Sequence, residues 1–327
     1  MRFRPLVRAC LVIAAFSVLA TACSSGNAET KVAANGLEKT DLTIGMLPLP
    51  EVAPVQIAIN RGFFKAEGLN VKHTLIEGGA AALPTLLSGG FDVLHSNYVS
   101  AITATSQNVA DLKVIAEATV ATPGSFVLMT APNSHVTKVE DLKGKKIGVN
   151  TLNNVATLTS SVTLKVHGLD INRDKISFVE VPFPNMWQAL KSGQVQAAFL
   201  PEPFVSVAAA DGGVKLADLM TGPTDSFPIA GYFVTSDFAS KNPKTVAAFQ
   251  RALLKAQSVA ASDRKAVAEV LPQYTKIKPE TAEIMQLPGF PITTNAVRLQ
   301  RVSDLMLEYG YLKKPFEANS LLLGDQK

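Results

Sequence analysis

Cysteine is nearly absent from this 327-residue sequence, whose only two cysteines are Cys10 and Cys23, both close to the N-terminus. The remainder of the chain can therefore form no disulfide, carries no thiolate nucleophile and offers no cysteine-based metal site. Hydrophobic residues make up 47% of the sequence. A chain of this length and composition can fold around a large core without disulfides.

A strong excess of one charge is also absent. The formal net charge is +4, and Arg2, Arg4 and Arg8 account for most of it, so the rest of the chain is nearly neutral. No basic stripe with interleaved aromatic residues occurs. The sequence gives no electrostatic reason to expect a nucleic-acid partner.

Catalytic motifs are missing as well. The sequence contains no G-x-S-x-G elbow, no G-x-x-x-x-G-K-[ST] loop and no G-x-G-x-x-G fingerprint. Its four histidines share no spacing typical of a metal site, and His95, near the end of a predicted strand, is expected to be a satisfied polar residue. We therefore expect no enzyme, no cofactor and no metal.

The longest apolar run lies at the N-terminus. The basic stretch "MRFRPLVR" precedes "ACLVIAAFSVLA", and "ATAC" ends at Cys23. This run is too short to span a bilayer and predicts a secretory signal peptide over residues 1–22. Because small residues precede Cys23, the segment resembles the lipobox of bacterial lipoproteins, although Ala20 stands where that motif usually has Leu.

That resemblance implies that Cys23 is lipidated and becomes the new N-terminus, which would anchor the chain to the outer face of a bacterial cell membrane. Ordinary cleavage after "ATA" is the alternative, and it would leave the chain in the periplasm. The polar, aperiodic residues that follow are typical of a flexible linker. We therefore expect residues 23–40 to form a lipidated cysteine and a flexible tether.

Two parts of the chain repeat one plan. Each reads as strand, helix, strand, helix, strand, helix, an alternation that predicts doubly wound parallel sheets in an α/β fold. The most similar segments are "LTIGML" (42–47) with "KKIGVN" (145–150), and "FDVLHSNYVS" (91–100) with "VQAAFLPEPFVS" (195–206).

Two further extended segments bracket the second repeat. We expect "SFVLMT" (125–130) and "GYFVTSD" (231–237) to be crossover strands that carry the chain into a second lobe and back. Helical patterns follow to the C-terminus and would complete the first lobe. The predicted domains are therefore lobe 1, residues 41–127 and 231–327, and lobe 2, residues 128–230.

Several blocks resemble the nitrate/sulfonate/taurine and thiamine-pyrimidine solute-binding proteins of ABC importers. They are "GFFKAEGL" (62–69), "DLKGKKIGV" (141–149) and "ALKSGQVQAAFLPEPF" (189–204). The resemblance implies a two-lobed periplasmic-binding-protein fold of type II with a two-segment hinge. It also implies a monomer that closes around a small solute and delivers it to a permease driven by a separate ATPase subunit.

Two other functions stay open at this point. One is a lipid-anchored solute sensor for a signalling receptor. The other is an enzyme of the pyrimidine-precursor branch of the same fold, which relies on a cysteine-rich motif that this chain lacks. Loss of uptake on deletion would separate transport from sensing.

Six loops should meet in the crevice between the lobes, because ligands of open α/β sheets bind at the carboxyl ends of the strands. They are residues 47–53, 77–82, 95–98 ("HSNY"), 150–154, 182–187 and 201–204. We expect these loops to supply the ligand-binding residues. The candidates are Glu51, Gly78, Gly79, Ser96, Asn97, Tyr98, Asn150, Thr151, Asn153, Asn154, Phe183, Glu202 and Phe204.

Each candidate also has a structural alternative. Glu202, between two prolines, either contacts ligand or complements the dipole of the next helix. Glu51 follows Pro50, which favours a role at a helix start. Asn153 and Asn154 are expected to cap the next helix. Gly78 and Gly79 either expose amides to a ligand or make a tight turn.

The aromatic candidates, Tyr98, Phe183 and Phe204, either face a ligand ring or belong to the core, and we expect Trp187 to pack on a helix. None of the six loops contains Arg or Lys, whereas two of the candidate residues, Glu51 and Glu202, are carboxylates. This charge pattern favours a neutral or amine-bearing ligand. A sulfonate or nitrate could still be bound by helix N-termini, so the identity of the solute stays open.

Overall fold

The computed structural model describes residues 36–324, so the predicted signal peptide (1–22) and Cys23 lie outside the described residues. Within the described range, no helix has the length and apolar character needed to cross a membrane. His, Asp and Glu side chains in the same range form no group that could hold a metal ion.

Ten strands, twelve α-helices and five short 3-10 helices make up residues 36–324. The strands are β1 Asp41–Met46, β2 Asn70–Leu75, β3 Val93–Asn97, β4 Leu112–Val120, β5 Phe126–Thr130, β6 Lys146–Val149, β7 Ser177–Glu180, β8 Ala197–Pro201, β9 Val214–Asp218 and β10 Pro228–Thr235. The α-helices are α1 Ala53–Asn60, α2 Phe63–Ala66, α3 Gly79–Leu87, α4 Tyr98–Ser106, α5 Val155–Val166, α6 Phe183–Lys191, α7 Phe204–Ala210, α8 Ser236–Lys241, α9 Pro243–Ser262, α10 Arg264–Val270, α11 Pro279–Ile284 and α12 Ala296–Glu308. The 3-10 helices are Pro50–Val52, Val139–Leu142, Gly222–Thr224, Leu271–Gln273 and Ala318–Leu321.

The strands form two five-stranded sheets. The first sheet has the order β2-β1-β3-β10-β4, and the second has the order β7-β6-β8-β5-β9. The two orders correspond strand for strand, so the repeat and the α/β class predicted from the sequence are confirmed.

The expectation of purely parallel sheets is wrong for one strand in each sheet. Strand β10 runs antiparallel to β3 and β4, and β5 runs antiparallel to β8 and β9. Both begin where the chain has just left the other sheet, and each enters beside the carboxyl end of a parallel strand. A strand that enters at that edge can only run in the opposite direction.

Helix starts gather at the carboxyl edges of the two sheets. Strand β3 ends at Asn97 and α4 starts at the next residue, while β8 ends at Pro201 and α7 starts at Phe204. Helix α5 is buried from Val155 to Leu164 and contacts α4 and the 3-10 helix Gly222–Thr224. This arrangement points the N-termini of several helices at the region between the sheets.

The prediction that residues 23–40 form a flexible tether is wrong for residues 37–39. Leu37 is buried, and the Glu38 carboxylate accepts hydrogen bonds from the backbone N–H groups of Lys244 and Thr245 at the start of α9 (3.2 and 2.9 Å). Lys39 Nζ lies 2.6 Å from the carboxylate of Asp92. Residues 37–39 therefore belong to the fold, because a carboxylate at a helix N-terminus satisfies amides that would otherwise lack a partner.

We expect Glu38→Ala to lower the free energy of unfolding by about 1 kcal/mol, the usual cost of losing a helix cap. Burial opposes ionisation of Glu38, but hydrogen bonds from Thr245 and Lys244 outweigh it and lower the pKa of the carboxyl. A lowered pKa stabilises the fold above the unfolded value, so the difference should vanish as the pH falls through the folded pKa.

Urea denaturation at pH 7 and at acidic pH measures this contribution. Glu283→Ala, at an exposed carboxylate in α11, is the matched control and should change stability by no more than about 0.5 kcal/mol. Equal stability of Glu38→Ala and the parent chain at pH 7 would contradict the anchoring role.

Candidate functional site

A small cavity lies between the two sheets at the carboxyl ends of their parallel strands. Its volume is about 30 Å³, enough for a few waters at roughly 10–15 Å³ each. We call it the main cavity. The first sheet and its loops contribute Leu47, Leu49, Glu51, Gly79, His95, Asn97 and Ile229, and the second sheet and its loops contribute Phe126, Asn150, Asn154, Val155, Phe183, Phe199 and Pro201.

All six loops expected from the sequence reach this cavity. The arrangement follows from the repeat, because equivalent strand ends of two similar sheets face each other. None of the described residues that line the main cavity is Arg or Lys. Its only titratable lining groups are Glu51 and His95.

Asn97 connects the two halves of the site. Its Oδ1 atom accepts a hydrogen bond from the N–H of Ser100 (2.9 Å), which caps α4, and a second from the N–H of Val155 (3.3 Å), the first residue of α5. One amide oxygen thus serves helices that belong to different sheets. This bond forms only while the two sheets are held close together.

Asn154 caps α5 as the sequence predicted. Its Oδ1 accepts from the N–H groups of Ala156 and Thr157, and its Nδ2 donates to Asn150 Oδ1 and Thr151 Oγ1, both at 2.8 Å. These bonds hold the loop in a fixed shape, with the Asn150 oxygen already occupied.

Asn153 was expected to share the capping role, and that expectation is wrong. It is exposed and has a φ of 52°, so it forms the turn before the helix and does not line the main cavity.

Close contacts require the two glycines at the start of α3, the N-cap Gly78 and the first helical residue Gly79. A Cβ atom on Gly79 would lie 2.1 Å from Ser96 Oγ, and a Cβ on Gly78 would lie 2.9 Å from Thr151 Cγ2, which belongs to the second sheet's loop. Gly79 lines the main cavity, whereas Ser96 is buried beneath it. Gly78 marks a second point where the two halves touch.

Glu51 and His95 form a buried pair at the main cavity. Glu51 Oε2 lies 3.2 Å from His95 Nε2, and the two residues are 5% and 0% exposed. The distance suits an ion pair, but neither ring nitrogen of His95 meets hydrogen-bond geometry with a described partner. The expected role of Glu51 at a helix start is corrected: Leu49 is the N-cap of the 3-10 helix, and the Glu51 carboxylate faces His95.

The aromatic candidates separate into two groups. Phe183 lines the main cavity and stacks on Phe204, which lies behind it (ring centroids 5.4 Å apart). Tyr98 is fully buried against Phe233 and does not line the cavity, so it belongs to the core. Trp187, a residue of α6, is half-buried, and its Nε1 donates to Asp211 (2.7 Å).

Glu202 is buried and its oxygens are already hydrogen-bonded. Ser206 donates through its N–H (3.0 Å) and its hydroxyl (2.9 Å), and the N–H of Gln286 donates at 3.3 Å. Burial raises the pKa of Glu202. Of its two expected roles, the structure favours the contact with the first turn of α7, although the Glu202 side chain itself is only 5% exposed.

The structure adds residues that the sequence did not single out as ligand-binding candidates. His95 is the most important, and its position at the start of the "HSNY" loop was the available signal. Phe126 and Ile229 reach the cavity from β5 and β10. Both residues reach the cavity because β5 and β10 lie antiparallel to their neighbouring strands, and no local sequence pattern indicates that direction.

Comparisons with known proteins agree with this architecture. The family model described as the NMT1-like family matches residues 35–273. The binding protein YtlA of Bacillus subtilis is 25% identical over 63% of this chain and 61% of its own length. An ABC transporter periplasmic binding protein of Brachyspira hyodysenteriae is 25% identical over 83% of this chain and 78% of its own.

Solved structures share the fold. The alkanesulfonate-binding protein SsuA of Xanthomonas axonopodis pv. citri, solved with MOPS bound, has a TM-score of 0.72 at 20% identity and covers 87% of this chain and 98% of its own. The nitrate-binding protein NrtA of Synechocystis PCC 6803 has a TM-score of 0.72 at 16% identity and covers 87% of this chain and 85% of its own.

Proposed function

The chain belongs to the NMT1-like family, and we propose that it is the substrate-binding protein of an ABC importer that captures a small solute between two lobes. The observation that carries the proposal is the main cavity, to which each sheet contributes one wall. A relative is named as a periplasmic binding protein of an ABC transporter. The absence of catalytic motifs from the sequence supports binding without catalysis.

Closure about a hinge is the proposed mechanism. The chain passes between the sheets twice, after β4 and after β9, so we place the hinge in residues 121–125 and 219–227. The bond from Val155 to Asn97 and the contact of Gly78 with Thr151 would form on closure. A solute that contacts both walls favours the closed form because it binds that form better.

The proposed partners follow from this mechanism. The closed pair of lobes would be recognised by a membrane permease with a separate ATPase subunit. Lipidation of Cys23 would keep the protein at the extracytoplasmic face of the membrane, where the permease is. Cys23 lies outside the described residues, so metabolic labelling with a radioactive fatty acid, with and without Cys23→Ala, tests the anchor.

A thermal-shift screen tests the function. The panel contains nitrate, taurine, aliphatic sulfonates, aminopyrimidines and polyamines. A compound present at about a hundred times its dissociation constant stabilises the folded state by about 2.7 kcal/mol, which is a readable shift. The same compound should reduce the radius of gyration in small-angle X-ray scattering, and deleting the gene should abolish its uptake.

Failure of this prediction has two forms. Stabilisation without a smaller radius of gyration would contradict hinge closure. Closure without any loss of uptake in the deletion strain would favour a sensor over an importer component.

A further inference from the structure

A hydrogen bond outside the main cavity joins the two halves of the molecule. The hydroxyl oxygen of Tyr311, just after α12, lies 2.9 Å from the hydroxyl oxygen of Ser161 on α5. Helix α12 packs on α4 and β10 of the first sheet, whereas α5 connects β6 and β7 of the second sheet. Neither residue lines the main cavity. The bond therefore depends on the position of the two sheets and not on what the cavity holds.

The geometry fixes the direction of this bond. The hydroxyl of Ser161 donates to the carbonyl oxygen of Thr157 (2.6 Å), one turn earlier in α5, so its own proton is already used. Tyr311 is therefore the donor and Ser161 Oγ the acceptor. Burial raises the pKa of the Tyr311 phenol, so the donor stays protonated at neutral pH. Removal of the Tyr311 hydroxyl alone would break the bond and leave the bonds within α5 intact.

The end of α12 joins Tyr311 firmly to the first sheet. Gly310 has a φ of 76°, its N–H bonds to the carbonyl of Leu307 (3.1 Å), and the N–H of Tyr311 bonds to the carbonyl of Met306 (2.8 Å). These two bonds form the Schellman motif that ends a helix at a glycine. The backbone of Tyr311 thus moves with α12, and separation of the two sheets must break its bond to Ser161.

The composition of α5 fits a helix that water reaches in a second state. Its buried residues include five hydroxyl side chains, Thr157, Thr159, Ser160, Ser161 and Thr163. The hydroxyl oxygens of Ser160 and of Ser100, on the contacting helix α4, have no hydrogen-bond partner among residues 36–324. A buried hydroxyl without a partner is costly because it has lost its bonds to water. An open form that hydrates α5 avoids this cost, so the closed form needs favourable contacts of its own.

Weaker contacts lie beside the bond at the surface. Lys165 Nζ lies 4.4 Å from the ring centroid of Tyr309 and 3.4 Å from the carboxylate of Glu308. The side chains of Lys165 and Glu308 are 58% and 59% exposed, and ion pairs of that kind contribute little. The more shielded bond between Tyr311 and Ser161 is therefore the stronger contact at this edge of the molecule.

We propose that Tyr311 and Ser161 form a latch that favours the closed form from outside the main cavity, whether or not a solute is bound. The inference rests on the proposed function, because it requires that the two halves separate. It adds a contact that contributes to closure independently of the solute.

Double electron–electron resonance without added solute tests the latch. Spin labels are attached at Ser88→Cys and Ser192→Cys, the exposed C-caps of the equivalent helices α3 and α6, in a full chain whose own cysteines are replaced by alanine. The parent should show a shorter, closed distance and a longer, open one. Tyr311→Phe should raise the ratio of open to closed molecules by about fivefold, the usual effect of losing one neutral hydrogen bond.

Further variants show whether the bond itself is responsible. Ser161→Ala removes the acceptor and should raise the open fraction at least as much. The double variant Tyr311→Phe/Ser161→Ala should raise it no further, because both changes break the same bond. Ser161→Leu places a larger side chain against Tyr311 and should leave mainly the longer distance. Tyr309→Phe is the matched control: it keeps the ring beside Lys165 and should give the distances of the parent.

Urea denaturation of the same variants separates a latch from a purely structural contact. If Tyr311→Phe lowered the urea midpoint and left both distances unchanged, the inference would be overturned. A parent with only the longer distance would overturn it as well.

The same distances show whether the latch or the proposed function fails. Two distances whose ratio no variant changes would overturn the latch and leave hinge closure standing. A single distance in the parent and in every variant would mean that the two halves do not separate, which contradicts hinge closure together with the latch.

Discussion

Arg298→Met should lower the free energy of unfolding by about 3–5 kcal/mol, the usual result of removing one partner from a buried ion pair. Arg298 on α12 donates to both carboxylate oxygens of Glu117, which lies in β4 with its side chain 1% exposed. Without the guanidinium, a carboxylate would be left in the core with no counter-ion. Equilibrium denaturation in guanidinium chloride measures the loss.

The loss should depend on pH in a defined direction. Burial raises the pKa of Glu117, and Arg298 opposes that shift. Removing Arg298 raises the pKa further, so the folded state binds a proton more tightly than the unfolded chain does. Stability of Arg298→Met should therefore fall as the pH rises above about 4.3, the unfolded value, and the deficit should be larger at pH 8 than at pH 5.

Two further variants make this prediction specific. Arg251→Met removes an exposed partner of Glu67, and pairs of that kind contribute about 0–1 kcal/mol. The double variant Glu117→Met/Arg298→Met replaces the pair with apolar side chains and should recover much of the stability. A double variant no more stable than Arg298→Met would show that the guanidinium acts through other contacts, such as its bond to the carbonyl of Thr293.

Gly79→Ala should impair both folding and ligand binding. The new Cβ would lie 2.1 Å from Ser96 Oγ and 2.8 Å from Ser96 Cα, a backbone atom that cannot turn aside. The start of α3 must then move away from the sheet, at a typical cost of about 1–3 kcal/mol. If the first turn of α3 binds the solute, its displacement at the main cavity should weaken the ligand found in the thermal-shift screen by more than about tenfold.

Gly78→Ala is the informative comparison, because the added methyl group would clash with a residue from the other sheet's loops. The Cβ would meet Thr151 Cγ2 at 2.9 Å, a contact that exists only when the sheets are close together. Ligand affinity should fall while the unfolding free energy of the ligand-free protein stays within about 0.5 kcal/mol of the parent. Thr151→Ser removes the opposing methyl group and should restore affinity.

Denaturation of the ligand-free variants and titration with ligand together test both glycine predictions. If Gly78→Ala destabilises the ligand-free protein as much as Gly79→Ala does, the two halves do not separate without ligand. If Gly79→Ala retains the affinity of the parent, the first turn of α3 does not bind the solute.

Local patterns in the sequence determined the secondary structure and the repeated two-sheet plan of this protein. The strand–helix alternation of residues 41–104 and 143–210 predicted two sheets, and equivalent strand orders are observed. Asn154 before an apolar run predicted a helix cap. Such features depend on spacing along a few residues, and the backbone geometry of helices and strands converts that spacing directly into structure.

Only the tertiary structure decided which side chains meet. Residues 51 and 95, and residues 97 and 155, pair through contacts between distant segments, and no periodicity records them. Tyr98 and Glu202 directly follow Asn97 and Pro201, the last residues of β3 and β8, yet they are buried away from the main cavity. The direction of β5 and β10 was likewise fixed by the path of the chain between sheets. A strand end brings a loop to the main cavity by local geometry, whereas the side of the loop that faces the other sheet depends on how two distant surfaces pack.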